Sequence, residues 1–471
     1  MKRIEQHYIG GARTPVTPGG VATIHDAATE APIAEVMLGT ATDAAAAVRA
    51  AAGALPAWRA LGAAGRAPYL LAIADALEAA ASELAQEISR EVGMPLKLAQ
   101  RIQVDAPIAA WRSTASLAQE FDFERTVGNS RIVLEAVGIV AAITPWNYPL
   151  HQITAKLAPA LLAGCTVVLK PSELAPATTV RLIDAIERAR LPAGVVNIVL
   201  GGAAVGEALV SHPEVNMLSF TGSTAVGRSI AARAAGDMKR LSLELGGKSA
   251  AVVLPGADLA RAVKATLASC FLNSGQTCSA TTRLIVPRQD YEPCRALLQV
   301  AAAAMIVGDP ANPETRMGPL LSAAQKQRVR AFIEEGEQAG FEVIAGGSAA
   351  PVPATGYFVA PTVFGEVAAD SRLATEEVFG PVLAVLCYDT REQAIALANG
   401  TPYGLAATVW AATDEDGEAV ARQLRAGQVD VNGGRFNPAA PFGGFGLSGV
   451  GREGGVFGLE EFLEPKSIQL P

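Results

Sequence analysis

VNMLSFTGSTAVGRS, residues 215–229, changes character in its middle. An apolar run of strand length ends at Thr221-Gly222-Ser223, and the small residues that follow read as the first turns of a helix. A strand that turns on glycine into a helix leaves free N–H groups and the positive end of the helix dipole at one point, which favours an anion such as a phosphate. The stretch is not G-x-G-x-x-G, and Arg228 stands where the nucleotide-triphosphate loop needs lysine. One such turn taken alone is equally a tight turn that holds nothing.

Its neighbours decide the fold class. VGIVAAITP (137–145), TVVLKPS (166–172), VVNIVLGG (195–202) and RLSLELGG (240–247) repeat the pattern of a short apolar run ending in Gly, Pro, Ser or Thr. Helical stretches at about 151–163, 178–189, 203–211 and 224–235 separate them. Strand and helix alternating at this pitch predict βαβ units and a parallel sheet, with ligands at the carboxyl ends of the strands. Upstream, 42–119 is rich in Ala, Leu and charge and reads as several amphipathic helices punctuated near Pro56, Gly65 and Gly93. FDFERTVGNSRIVLEA, 121–136, reads as a protruding hairpin suited to another subunit. From about 258 a helix leads into FLNSGQTCSA (271–280), and strands such as TRLIVP and PVLAVLCY make a second α/β domain.

Composition narrows the classes. The 471 residues are half apolar, enough for two or three domains, and the formal charge of −8 is spread without a basic cluster. Neither nucleic acid nor a membrane is expected as a partner. Five cysteines without a C-x-x-C pair suit a reducing compartment, no apolar leader follows MKRIEQHYIGGAR, and a cytoplasmic location is expected. The four histidines, His7, His25, His151 and His212, lack metal-site spacing, so no metal is expected.

Chemistry-bearing residues gather at the predicted strand ends. Lys170 and Glu173 follow one strand, where a carboxylate can accept the hydroxyls of an adenosine ribose and would repel a 2′-phosphate. Pro145 and Pro149 bracket Trp146 and Asn147, whose amide could face a developing oxyanion. Glu244 ends an apolar strand, where burial would raise its pKa toward that of a general base. Cys278, beside Gly275 and Gln276, could be a thiol nucleophile whose own N–H joins Asn147. Each alone has a plain structural reading; together they describe a dehydrogenase working through a thioester. Two rivals are a cysteine hydrolase pairing Cys278 with His151, and a nucleotide-binding protein without catalysis.

ITPWNYP, LKPSE, FTGSTAVG, ELGGKS, NSGQTC, EEVFGP (376–381) and PFGGFGLSGVGRE (441–453) occur in an order that resembles the NAD(P)-dependent aldehyde dehydrogenases, over about residue 5 to the end. The resemblance implies a Rossmann-like cofactor domain (1–114 and 137–246), an α/β catalytic domain (247–448) and a small β oligomerisation arm (115–136 and 462–471), in a homodimer or homotetramer. It implies oxidation of an aldehyde to the acid with NAD, NADP being the alternative. Cys278 would attack the carbonyl, Asn147 and the Cys278 N–H would hold the oxyanion, Glu244 would activate water on the thioester, and Glu453 would relay protons. Glu244 also favours the hydrolytic branch over the branch that acylates coenzyme A. Cofactor residues by similarity are Ile143, Thr144, Pro145, Trp146, Lys170, Ser172, Glu173, Gly206, Phe220, Gly222, Ser223, Val226, Leu245, Gly246, Glu377 and Phe379. Tyr148, His151, Thr277, Ser279, Phe436 and Phe442 would line the substrate tunnel, whose aromatic walls suit an apolar or aromatic aldehyde. Arg435 at its mouth offers an acid-tailed substrate as the alternative. Asp430, Phe445 and Gly446 depart from common family residues, and the remaining cysteines read as packing.

Overall fold

A computed structural model describes residues 1–471. Its first sheet has eight strands in the order 449–450, 240–244, 217–221, 139–143, 166–170, 196–198, 6–9 and 12–15. The five from 240–244 to 196–198 run parallel, and both edges are closed by antiparallel strands. All five residues of Ile139–Ile143 are buried, as an apolar strand covered by helices on both faces must be. From this strand the chain steps outward through 166–170 and 196–198, then returns to lay 217–221 on its other side. The order therefore reverses between 139–143 and 217–221, and the crevice outside their carboxyl ends is where such sheets bind ligands.

Helices Pro149–Ala163, Pro176–Arg188, Ala203–Ser211 and Thr224–Ala235 fall on the four expected stretches. The upstream helices differ from expectation in their breaks. Pro56 lies inside Ala41–Ala60 and Gly65 inside Gly62–Glu78, because the buried faces of these long helices outweigh one lost hydrogen bond or one flexible residue. Only Gly93, at φ +88°, ends a helix as expected, that of Ala81–Val92. Nothing in the sequence reading anticipated the π-helical turn Ala99–Asp105 that feeds Ala106–Glu120.

The second sheet orders its strands 342–345, 362–365, 382–388, 281–287, 249–253, 406–410 and 428–431, all parallel except the first. Hairpin strands Glu124–Val127 and Ser130–Ala136 are joined by the C-terminal strand Leu463–Gln469, in register from Leu463 against Ala136 to Gln469 against Ser130. Residues 115–120 of the expected arm are the end of the Ala106–Glu120 helix.

Arg66 fixes the helix that follows the Asn147 loop. It is buried with no carboxylate partner, and its guanidinium donates to Leu162 O (3.0 Å) and Arg59 O (3.2 Å), while Trp58 Nε1 donates to Leu161 O (3.2 Å). The carbonyl end of Pro149–Ala163 and its dipole stand in for a counter-ion. Burial still pulls the Arg66 pKa down to about 10. Replacing Arg66 by Met leaves those carbonyls unpaired, and urea unfolding is expected to show a loss of roughly 2–4 kcal/mol; a loss below about 0.5 kcal/mol would contradict this role.

Candidate active site

Three strand ends of the first sheet meet the loop that leads into strand Thr281–Pro287 of the second. After Ile139–Ile143 the chain turns through Pro145-Trp146-Asn147; after Met217–Thr221 through Gly222-Ser223; after Arg240–Glu244 through Leu245-Gly246. Ser223 caps the helix Thr224–Ala235 by accepting from Val226 N at 3.3 Å. Gly222 N donates to Glu244 O at 3.0 Å, tying two of the turns together. These turns, with Thr221, Cys278, Gln325, Arg328, Glu377 and Phe379, enclose a groove of about 280 Å³.

The loop carrying Cys278 is wound tightly. Asn273, Ser274 and Gly275 all have positive φ, at +52°, +57° and +76°. Side chains hold that shape: Ser274 Oγ donates to Gly318 O (2.8 Å), Gln276 Nε2 to Asn273 O (3.0 Å), and Leu321 N to Gln276 Oε1 (2.9 Å). The loop is then stitched to the turn after Ile139–Ile143. Asn147 Nδ2 donates to Gln276 O at 2.9 Å, and Asn273 Nδ2 donates to Asn147 O at 3.0 Å. Asn147 keeps a second amide hydrogen, and the Cys278 N–H donates to no group of the protein. Two donors thus remain beside the thiol, as an oxyanion needs.

Glu244 is 3% exposed, and neither of its carboxyl oxygens has a hydrogen-bond partner. Burial, then the charge of Glu453, raises its pKa well above the usual carboxylate range, against the pull of Lys156 and Arg452. The half-buried Cys278 thiol is pushed upward by desolvation and then by the charges of Glu244 and Glu377. When Glu244 takes a proton, part of the field that keeps the Cys278 proton in place disappears. Glu377, pushed up to about 7 by burial, accepts from Gly247 N at 3.1 Å. Phe379, at φ +61°, stacks edge-on to Trp146 with ring centroids 5.5 Å apart.

The expected cofactor residues divide between the groove and a second strand end. Pro145, Trp146, Gly222, Ser223, Leu245, Gly246, Glu377 and Phe379 line the groove. Ile143 and Phe220 are buried in the strands behind it, Thr144 N bonds Lys170 O at 3.1 Å, and Val226 is exposed at the helix start. At the neighbouring strand end Lys170 Nζ donates to Gly201 O (2.7 Å) and to Glu173 Oε2 (3.4 Å), and Gly206 faces the Lys170 stem. Ser172 caps the same loop by accepting from Leu174 N at 3.2 Å.

A second pocket, of about 80 Å³, is lined by His151, Phe436, Phe442 and Glu453 with the small residues Ala110 and Ala155. The Phe436 and Phe442 rings meet edge to face at 6.3 Å. Tyr148 and Thr277 bond each other through their hydroxyls at 2.7 Å, and Ser279 is half-buried next to the nucleophile. His151 packs against the Tyr148 ring, burial lowers its pKa, and no hydrogen bond joins it to Cys278, which removes support for a Cys–His hydrolase. Arg435 is exposed and unpaired. Asp430 bonds Gln428 on a strand of the second sheet, and Phe445 lies under Arg452.

Sequence reasoning missed Lys156, buried on the Pro149–Ala163 helix with Nζ 2.6 Å from Glu453 Oε1. A lysine on an otherwise apolar helix face was the available signal. Arg328, which donates to Glu377 O at 2.7 Å and lines the groove, lies in a charged helix that gives no such sign.

Known proteins resemble the chain over almost its whole length. The profile of the aldehyde dehydrogenase family matches residues 17–468. A 3-succinoylsemialdehyde-pyridine dehydrogenase of a Pseudomonas species is 41% identical over 471 residues, 99% of either chain. The crystal structure of an aldehyde dehydrogenase C mutant from Pseudomonas syringae, complexed with NAD+ and octanal, matches with a TM-score of 0.97 at 42% identity, covering 99% of this chain and 96% of that one. That of a Mycobacterium tuberculosis aldehyde dehydrogenase complexed with NAD+ matches at 0.96 with 37% identity, covering 100% and 99%.

Gly275 tests the loop geometry. A Cβ at this position would run into the Gly380 carbonyl, on a backbone that already has φ +76°. Gly275→Ala is expected to cost about 2–4 kcal/mol and to change the rate at which Cys278 reacts with a thiol reagent; unaltered stability and thiol reactivity would show that the loop tolerates movement.

Proposed function

Because the chain belongs to the aldehyde dehydrogenase family, we propose that Cys278 is the nucleophile on which it oxidises aldehydes to carboxylic acids with reduction of NAD(P). The observation that supports this most is the convergence on one thiol of two free donors, from Asn147 and Cys278 itself, and a buried carboxyl with both oxygens unpartnered. The residues present fit the cofactor. The start of the helix after the Gly222 turn offers the N–H groups of Ser223, Thr224 and Ala225 to a diphosphate, and a side chain at Gly246 would close the groove onto Glu377. Lys170 and Glu173 would hold the adenosine ribose, and Glu377 and Phe379 the nicotinamide end. Bound NAD supplies the hydride acceptor.

The thiolate of Cys278 adds to the aldehyde carbonyl, and the oxygen takes its charge against the Asn147 amide and the Cys278 N–H. After hydride loss the acyl group stays on Cys278 as a thioester. Glu244, in its carboxylate form, removes a proton from water as the water attacks; Glu453, paired with Lys156, passes protons away from that carboxyl. Free acid leaves, so the route is hydrolytic and not a transfer to coenzyme A.

NAD is preferred over NADP through Glu173, whose charge opposes a 2′-phosphate. The substrate is an apolar or aromatic aldehyde. Phe436 and Phe442 wall the pocket, and Glu453 is the charge on its lining, which disfavours an acid tail. The relatives support this: one carries octanal in its structure, and another is named for a pyridine-bearing semialdehyde. Residues 1–114 and 137–246 form the cofactor domain, 247–448 the catalytic domain, and 115–136 with 462–471 the arm of a homodimer or homotetramer, to which the edge strand Leu463–Gln469 is open. Five unpaired cysteines suit the cytoplasm, and no helix is long and apolar enough to cross a membrane.

Initial rates at 340 nm across aliphatic, aromatic and acid-tailed aldehydes, each with NAD and NADP, test this reading. Apolar or aromatic aldehydes with NAD are expected to win, and Cys278→Ala to abolish turnover while NAD still binds; turnover retained in that variant would remove the thioester route.

Glu244→Gln is expected to give a burst of cofactor reduction followed by a steady state lowered about 10²–10⁴-fold. Since the raised pKa keeps Glu244 protonated at low pH, acyl hydrolysis in the wild type should climb as pH rises through it. That limb should vanish in Glu244→Gln; its persistence would point to another base.

A further inference from the structure

We propose that Gln103, delivered by the π-helical turn Ala99–Asp105, is a positioning residue that holds the Asn147 backbone so that the Asn147 side-chain amide meets the oxyanion. The inference rests on Asn147 being an oxyanion donor. Gln103 is fully buried, and its Nε2 donates to Asn147 O at 2.9 Å. The same carbonyl accepts from Asn273 Nδ2 at 3.0 Å, so its two lone pairs are filled from opposite sides, one by the N-terminal helical region and one by the Cys278 loop. With the backbone clamped there and the Asn147 amide donating to Gln276 O, the direction of the remaining amide hydrogen is set.

The π turn explains how the helix reaches this loop. One extra residue in the turn rotates every later side chain by about 100° relative to an uninterrupted α-helix, and such turns occur often at functional sites. Around Gln103 the segment also grips the residue after Asn147: Tyr148 packs in a small apolar cluster with Met94 and Ala99, against Leu98 and Ile102. Gln103 suits a role in function better than one in stability. Its Oε1 is buried with no donor, so half of the amide is unsatisfied, and an unbranched apolar side chain of similar volume would fold there at less cost.

The test is a cycle of four full-length proteins: wild type, Gln103→Met, Asn147→Ala and the double variant. Measured are kcat for aldehyde oxidation with NAD, the thiol esterase rate on 4-nitrophenyl acetate, NAD affinity and the thermal midpoint. Gln103→Met should lower both rates about tenfold, leave NAD affinity within twofold, and keep or raise the midpoint. In the Asn147→Ala background the same change should cost less than twofold, since the amide it positions is gone. An undiminished factor in that background, or loss of NAD affinity in parallel with rate, overturns the Gln103 inference alone. An Asn147→Ala protein as fast as the wild type removes the oxyanion reading and this inference with it. Gln103→Ala takes the place of Met in the same cycle if the longer side chain prevents folding.

Discussion

Two hydrogen bonds between backbone carbonyls and asparagine amides, Asn147 onto Gln276 and Asn273 onto Asn147, join a loop of the first sheet to the loop that leads into the second. The Cys278 thiol lies on one side of this seam, while the Asn147 amide and the buried Glu244 carboxyl lie on the other. Chemistry that needs all three within reach of one carbonyl carbon depends on the relative placement of two separate sheets. Buried amide bonds supply that placement because both partners are desolvated and directional, which apolar packing alone is not. Asn273 takes the left-handed conformation the loop needs and spends its amide on the Asn147 carbonyl.

Burial does the electrostatic tuning once the geometry is fixed. Glu244, Glu377 and Cys278 are all shifted toward their neutral forms by desolvation first; the charge of Glu453 adds to the shift of Glu244, and those of Glu244 and Glu377 to the shift of Cys278. A thiol surrounded by carboxyls is a poor place to create a negative charge in the resting protein. The same arrangement favours a step in which charge moves off sulfur onto an oxygen facing two N–H groups, because that charge leaves the carboxylates for the donors. Glu453 is paired with Lys156, while both carboxyl oxygens of Glu244 are left without a partner, so two neighbouring carboxyls sit in different environments.

The sheet and its strand ends were legible in the sequence because strand, turn and helix carry separate local signals. Four crossover helices fell within about two residues of expectation, and Cys278, Asn147, Glu244 and Glu453 each stand in a distinctive short motif. What escaped was set by tertiary context. Pro56 continues a helix that its own chemistry would interrupt, and the π turn at Ala99–Asp105 leaves no mark in a stretch of mixed polarity. Gln103 and Arg328 reach the site from helices distant in sequence, and a glutamine or arginine on a helix looks like any solvated residue until its burial or partner is known.

Substrate choice follows a different logic from the chemistry. The amide and carboxyl are fixed by backbone turns at strand ends and the thiol by a tightly bonded loop, whereas Phe436 stands on a loop and is 56% exposed. A pocket whose wall is an exposed ring on a loop can reshape for different tails at little cost to the reacting centre. Small residues on the facing helices, Ala110 and Ala155, leave room on the opposite wall, so the ring and the empty space together favour bulk. Charge is handled by exclusion: Glu453 faces the pocket with its carboxyl group already paired to the Lys156 ammonium, and Arg435 is left to solvent. An acid-tailed aldehyde would have to bury its carboxylate against Glu453 with no partner, a penalty that an apolar tail of equal size avoids.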